Sequence, residues 1–252
     1  MYEQIKTHTS GKLFKSFLLK YQVNTGENVE QLTHTAIPDN SKKNINWLVK
    51  GGKYVIPDKN YKEFLDLYYQ CVWEDKLYAN NIVERHSEFS PVVIDIDVKY
   101  ESLNNKERGY TNLDLEVIIM NYMKIIEKYL QVEDNKRDVY ILTKPSATPQ
   151  KEQNIYKDGV HIYFPDIVSK AKVKHAIRED FLKYLEENPV FTHIKPINSF
   201  SDIIDKSVVE KNGMLLYGSQ KPDTDYKYRV SKVYKVYSNK LEQYPNISLN
   251  NR

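Results

Sequence analysis

One cysteine, Cys71, stands in 252 residues. That rules out an intrachain disulfide and any zinc site built from several thiolates, and it makes a reducing, intracellular compartment the simpler expectation. Cys71 itself reads as a small apolar residue in a helix. No apolar run approaches the roughly 20 residues that a membrane-crossing helix needs, and residues 1–11 lack the apolar stretch of a secretory signal. No membrane partner is expected. Glycine (8) and proline (10) are scarce, and no linker, low-complexity tract or internal repeat interrupts the chain. Net charge is only +3, too little to argue for a polyanionic partner by itself. There is no phosphate-binding loop, dinucleotide fingerprint, His-Glu-x-x-His or Gly-x-Ser-x-Gly.

What is present is the composition of a globular protein, 40% hydrophobic and 28% charged with a mean hydropathy of −0.64, too apolar for a disordered chain. Charge is unevenly spread. From Tyr226 to Arg252 there are six basic residues and one acid, Glu242, which suits either a phosphate-facing surface or the solvated face of a strand. Tyrosine is abundant, 21 residues, and alternates with lysine between Tyr226 and Tyr237, where rings could stack on bases.

Periodicity divides the chain near Glu88. Before it, Leu13, Phe14, Phe17, Leu18 and Tyr21, and again Phe64, Leu67, Tyr68, Cys71 and Val72, recur at helical spacing. Between them Gly51-Gly52 and Lys53 to Pro57 read as a turn, a short strand and a stop. After it, strands are predicted at Val92–Val98, Val139–Leu142, Val160–Phe164, Met214–Tyr217 and Tyr228–Tyr237. Helices are predicted at Thr111–Leu130, where Thr111 and Asp114 have capping-box spacing, and at Lys172–Glu187, ending at Asn188-Pro189. The order implies an α+β or mixed α/β fold with helices packed on a sheet.

Three stretches carry chemistry. In Pro91-Val92-Val93-Ile94-Asp95-Ile96-Asp97-Val98 strand alternation turns Val92, Ile94, Ile96 and Val98 to one face and Asp95 and Asp97 to the other. Like charges so close repel unless a cation sits by them. Oxygen ligands on a rigid strand suit Mg²⁺ or Mn²⁺, and two such ions about 4 Å apart can clamp a phosphoryl group. In Lys157-Asp158-Gly159-Val160-His161-Ile162-Tyr163-Phe164 the same alternation buries Val160, Ile162 and Phe164 and leaves Lys157, Gly159 and His161 on one face, two basic groups and a bare amide suited to phosphate. If the two strands are neighbours, His161 looks across at the carboxylates. Ile203-Ile204-Asp205 adds a third acid, and Tyr217-Gly218-Ser219-Gln220-Lys221-Pro222 a turn able to donate to phosphate oxygens. His175 and His193 have no matching ligands and read as structural.

Taken in this order, the motifs resemble the signature of the archaeo-eukaryotic primase superfamily. They are nearest to the branch at the N-terminus of primase-helicase proteins of large DNA viruses, which is related to the primase-polymerases. Thr33-His34-Thr35, Gly51 to Pro57 and Glu84-Arg85-His86 are looser likenesses to the same branch. The resemblance implies an α/β unit joined to a module like an RNA-recognition motif with the active site between them. Residues 1–88 would be a mainly helical region packed on a catalytic core of 89–252, all one compact domain at the start of a longer chain.

It also implies roles: Asp95, Asp97 and Asp205 as metal ligands and catalytic groups for two Mg²⁺ or Mn²⁺ ions; Lys157, Gly159 and His161 at the nucleotide phosphates, glycine standing where many relatives have serine; Ser219 and Lys221 as a phosphate turn; Arg85 beside the nucleotide. Leu215 departs from the pattern, since other branches carry arginine there. The implied activity is DNA-directed primer synthesis by nucleotidyl transfer from NTP or dNTP on single-stranded DNA, at a viral replication site, in the cytoplasm rather than the nucleus. A helicase domain, and the zinc module that one cysteine cannot build, would lie beyond this segment. A metal-dependent nuclease and a catalytically silent nucleic-acid-binding module remain open alternatives.

Overall fold

The computed structural model describes residues 2–24, 32–40, 45–76, 78–103, 108–152, 154–188 and 190–245, with the backbone alone for residues 2–9. In chain order the elements are α1 (Tyr2–Lys20), β1 (His34–Ala36), β2 (Gly52–Tyr54), α2 (Tyr61–Tyr69), β3 (Ile82–Glu84), β4 (Ser90–Glu101), α3 (Asn112–Tyr129), β5 (Asp138–Thr143), β6 (Thr148–Pro149), β7 (Ile155–Ser169), α4 (Ala171–Glu187), α5 (Phe200–Ile203), α6 (Ser207–Glu210), β8 (Met214–Leu215), β9 (Arg229–Val236) and β10 (Leu241–Gln243). Three-residue 3₁₀ turns precede α2 and β5, and α2 runs on into a π-helical turn over Gln70–Asp75. Among the described residues no helix is long and apolar enough to cross a membrane.

The chain forms two compact units: residues 1–87 with 213–227, and residues 88–212 with 228–251. The first unit takes the chain to residue 87 and takes it back for Gly213–Lys227. The first unit is also more than helical. It holds a four-stranded sheet in the order β2-β1-β3-β8, whose β1 and β3 the sequence reading missed because three-residue strands show no alternation to read. Its core joins Phe14, Leu18, Tyr54, Phe64 and Tyr68, all buried, with the Phe64 ring 5.6 Å from Phe14 and 6.1 Å from Tyr68.

The second unit is a sheet in the order β10-β9-β5-β7-β4, antiparallel throughout, with β6 attached to β7. In chain order it runs β4, α3, β5, β6, β7, α4, α5, α6, β9 and β10, with α3 and α4 packed on the core. Val92, Ile94, Ile96 and Val98 of β4 and Val160, Ile162 and Phe164 of β7 are all buried, as alternation requires. The α3 stripe Leu115, Ile118, Ile119, Tyr122, Met123, Ile126 completes this core. Tyr122 stacks on Phe164 at 5.8 Å and meets Phe181 of α4 edge-on at 4.9 Å, so one ring ties both helices to β7. The α3 capping box is complete: the Thr111 hydroxyl accepts from the Asp114 amide, and the Asp114 carboxylate accepts from the Thr111 amide. Pro189 and Arg252, both named in the sequence reading, lie outside the described residues.

Candidate active site

The longest strand pair of the second unit carries the polar motifs. β4 and β7 run antiparallel with Asp95 opposite His161, Asp97 opposite Gly159 and Lys99 opposite Lys157. Directly opposed residues share a face, so the two carboxylates, the imidazole, the bare backbone of Gly159 and the lysine form two facing rows on the side away from the helices. The rows already meet: Lys157 Nζ forms an ion pair with Asp97 Oδ2 at 2.7 Å, and His161 Nε2 lies 3.5 Å from Asp95 Oδ1.

Asp205 reaches this face from far along the chain. Residues 196–205 follow the outer edge of β4. Tyr100 and Pro196 bridge, the Ile197 amide donates to the Lys99 carbonyl, and the Asn198 side chain accepts from the Lys99 amide while donating to the Asp97 carbonyl. Ile204 then bridges Ile96, and the Asp205 amide donates to the Asp95 carbonyl at 2.9 Å. Ile96 and Ile204 are both buried, so Asp95 and Asp205, one step on, share the opposite face. This segment does for β4 what a further strand would do, satisfying an open edge.

For a divalent cation the donors are of the right kind. All three acids offer hard oxygen ligands, and Asp97 already holds a cationic group, the Lys157 ammonium. They are not closed into a ligand set: among the described residues no three acid, imidazole or thiolate groups stand in metal-holding array. The reason is visible at Asp205, whose two carboxylate oxygens accept from the Ser207 amide (2.8 Å) and hydroxyl (2.7 Å) at the start of α6. The chemistry fits Mg²⁺ or Mn²⁺ at Asp95 and Asp97, with Asp205 available once it leaves Ser207.

Residues 44–234 match the family model described as the C962R protein N-terminal AEP domain, three quarters of the chain. The chain belongs to the archaeo-eukaryotic primase superfamily. This primase-family domain is 31% identical over 242 residues, 95% of its length, to the "Putative helicase L207/L206" of Acanthamoeba polyphaga mimivirus. It is 23% identical over 202 residues, 73% of its length, to the "Putative helicase 184R" of Invertebrate iridescent virus 6. It spans only 24% and 20% of those two relatives.

Sequence reasoning passed over the residues that hold the candidate site in place. Arg178 of α4 is buried and donates from Nε and Nη2 to the Ile204 carbonyl, 2.9 and 2.7 Å, and from Nη2 to the Ser201 carbonyl, fixing the backbone that delivers Asp205. Asp158, fully buried between Lys157 and Gly159, pairs with Arg108 (2.7 Å to Nε, 3.0 Å to Nη2) and accepts from the Gly109 amide. Lys144, also buried, donates to the Lys157 carbonyl at 2.7 Å and to the Thr148 hydroxyl at 2.8 Å. Burial pushes its ammonium down to about 8, against the opposing pull of Asp158 and Asp97. Nothing in local spacing distinguishes these from surface charges; only the burial that the fold imposes does.

The other residues implied by the resemblance belong to the first unit of the domain. Thr33-His34-Thr35 lies on or beside β1, flanked by Gly52-Lys53-Tyr54 on one side and Glu84-Arg85 on the other, so the three looser likenesses are neighbouring strands of one small sheet. Arg85 is half-buried and its amide donates to the Thr33 carbonyl. Lys221 is exposed. Ser219 is buried: its hydroxyl accepts from the Ile82 amide at 3.2 Å and lies 3.1 Å from the Tyr68 hydroxyl. A phosphate contact from Ser219 would have to draw its one proton away from Tyr68, while the Ile82 amide, which uses only a lone pair, could stay. Leu215 pairs with Val83 in β8. His175 is 3.1 Å from Glu210, and His193 is 3.4 Å from Asp114.

The basic stretch is not one surface. Lys232 lies opposite Ile141, a core residue, while Lys235 lies opposite Asp138 and Glu242, so the two lysines point to opposite faces. Tyr234 is buried with its hydroxyl on Glu116 at 2.9 Å, which removes it from any base-stacking platform.

Proposed function

We propose that this domain catalyses template-directed nucleotidyl transfer: the 3′ oxygen of a growing strand attacks the α-phosphorus of an incoming NTP or dNTP and pyrophosphate leaves. The observation that carries the reading is the facing of Asp95 and Asp97 with His161 and Lys157 across one strand pair, acids for cations and bases for phosphates, with Asp205 brought to the same face. Asp95, Asp97 and Asp205 would hold Mg²⁺ or Mn²⁺, which in such sites lowers the pKa of the attacking hydroxyl and neutralises charge on the leaving group. Lys157 and His161 would orient the triphosphate by charge-assisted hydrogen bonds. At Gly159 the Tyr228 hydroxyl lies where a Cβ would stand, so a direct contact of the Gly159 backbone with phosphate rests on the resemblance alone. Arg178 and Asn198 keep Asp205 and Asp97 in register. For Arg85 a nucleotide contact rests on the resemblance alone, for Ser219 and Lys221 on the resemblance and the donors of their turn, and a role of Lys235 or Arg229 along the template backbone rests on their charge.

The names of the viral relatives and the fraction of them that the domain spans further suggest that it works within a longer chain that also carries a helicase, inside the infected cell. The test is incubation with Mg²⁺ or Mn²⁺, labelled NTPs or dNTPs and single-stranded DNA. Elongated products that vanish in Asp97→Asn support the reading, and shortened substrate indicates a nuclease. Nucleotide and metal binding without either product indicates a silent module.

A further inference from the structure

His161 does not meet its surroundings through Asp95 alone. The ring of Tyr228, the residue just before β9, lies flat on the imidazole, with centroids 3.8 Å apart and planes 17° from parallel. Tyr163, next on the same face of β7, meets the imidazole edge-on from 6.5 Å. An aromatic face at that separation restricts the plane of the imidazole, whose last side-chain torsion has broad intrinsic wells. The other end of the same phenol reaches Gly159. Its hydroxyl occupies the space that a Cβ at 159 would fill, closer than any real Cβ contact, and the next atom there is Asp97 Oδ1 at 3.0 Å. Lys157, Gly159 and His161 are alternate residues on one face, so the phenol lies along that face from the imidazole to the middle of the row. A side chain at 159 and the Tyr228 hydroxyl exclude each other.

We propose that Tyr228 completes the nucleotide site: its ring sets the orientation of His161, and its hydroxyl, standing at position 159, donates to a phosphate oxygen of the bound nucleoside triphosphate. The inference rests on the nucleotidyl-transfer reading for its ligand. The geometry that supports it stands apart from that reading. Residue 159 supplies no side chain, yet a hydroxyl is delivered to its place from a distant part of the chain, between a lysine and a histidine. A phenol O–H there is a neutral donor suited to an anionic oxygen.

The experiment uses the whole 252-residue chain, with ATP and dATP in the presence of Mg²⁺ titrated by calorimetry and the His161 ring protons followed by NMR. In the unaltered protein those protons are expected to be shifted upfield by the Tyr228 ring. Tyr228→Phe should keep the shift and weaken triphosphate binding about tenfold, the scale of one hydrogen bond to a charged group. Tyr228→Leu should lose the shift and bind at least as weakly. Gly159→Ser alone should weaken binding because its Cβ meets the phenol hydroxyl. Gly159→Ser with Tyr228→Phe should return binding to within about threefold of the starting protein, since the serine then supplies the hydroxyl. A purely structural tyrosine would show no such rescue. Unchanged binding in Tyr228→Phe, or a double variant no better than Gly159→Ser, would overturn the inference while leaving nucleotidyl transfer intact. A parent protein that binds no triphosphate would overturn that reading and the phosphate contact with it, and the ring shift would still report whether the stacking exists.

Discussion

In the four-stranded sheet of the first unit His34 turns inward, and the Thr33 hydroxyl beside it is used up. The Thr33 hydroxyl donates to the Tyr54 carbonyl and accepts from the Ile56 amide, so the His34 ring nitrogen 3.0 Å away is the donor of that pair. His34 then carries its proton on Nδ1 and presents a bare lone pair at Nε2, which has no partner among the described residues. Beside it the Tyr61 hydroxyl donates to Glu84 at 2.8 Å, and burial, with that carboxylate, pushes the phenol well above its ordinary range. In the six-stranded sheet of the second unit, Asp95, Asp97, Lys157 and His161 instead stand in facing rows with side chains 12–35% exposed. Polar residues on short strands therefore mean framework where the hydroxyls are spent on neighbouring groups and the ring is buried. They mean chemistry where charges of both signs line one face with room for an exchange of partners.

The comparison breaks most sharply at the carboxylates. Asp97→Asn is expected to cost about a thousandfold or more in primer synthesis and to move stability by no more than about 1 kcal/mol, since relief from the like charge of Asp95 offsets the lost Lys157 pair. An active variant would reduce the second sheet to framework as well.

Next comes the acid response of the first unit. Burial pushes the His34 imidazole down to about 4, below its value in an unfolded chain, near 6.5. Above pH 6.5 neither state is protonated. As pH falls towards 4 the unfolded state gains a proton that the folded state refuses, so stability is lost through that window, by up to about 3 kcal/mol. Both tryptophans, Trp47 and Trp73, belong to this unit, so denaturant unfolding followed by their fluorescence should show the loss, and His34→Leu should abolish its pH dependence.

Ser219→Ala should destabilise the same unit by about 1–3 kcal/mol, because the Ile82 amide loses its buried acceptor. If stability holds and nucleotide affinity falls instead, Ser219 belongs with the active groups. The smallest effect expected is on stability in Lys157→Met, within about 1 kcal/mol for a partly exposed pair. Mn²⁺ binding without nucleotide should tighten in that variant, since the ammonium no longer competes for Asp97. Unchanged Mn²⁺ affinity would mean the 2.7 Å pair does not occupy a cation position.

Much of the second unit was legible because its strands and helices are long enough to show a period. Alternation in β4 and β7 assigned every core and site residue to its face, and the Thr111/Asp114 spacing located the start of α3. The gaps have particular causes. β1 and β3 are too short to alternate, and β10 and α6 are no longer than one turn or bridge. Ser219 reads as a phosphate donor in a Gly-Ser turn, yet the Tyr68 and Ile82 contacts that bury it come from more than a hundred residues away. Lys144, Arg178 and Asp158 look like ordinary surface charges until the fold encloses them.

Sequence alone set which side chains share a strand face, because that depends only on a two-residue repeat, and it assembled Asp95 with Asp97 and Lys157 with His161. Tertiary structure decided that these two strands pair in the register placing Asp95 against His161, that Asp205 arrives along the β4 edge under the hold of Arg178, and that Tyr228 fills the space over Gly159. Those depend on hydrogen bonds and packing between residues 26 to 110 positions apart, where no local pattern reaches and only the closure of the chain on itself selects one partner among many.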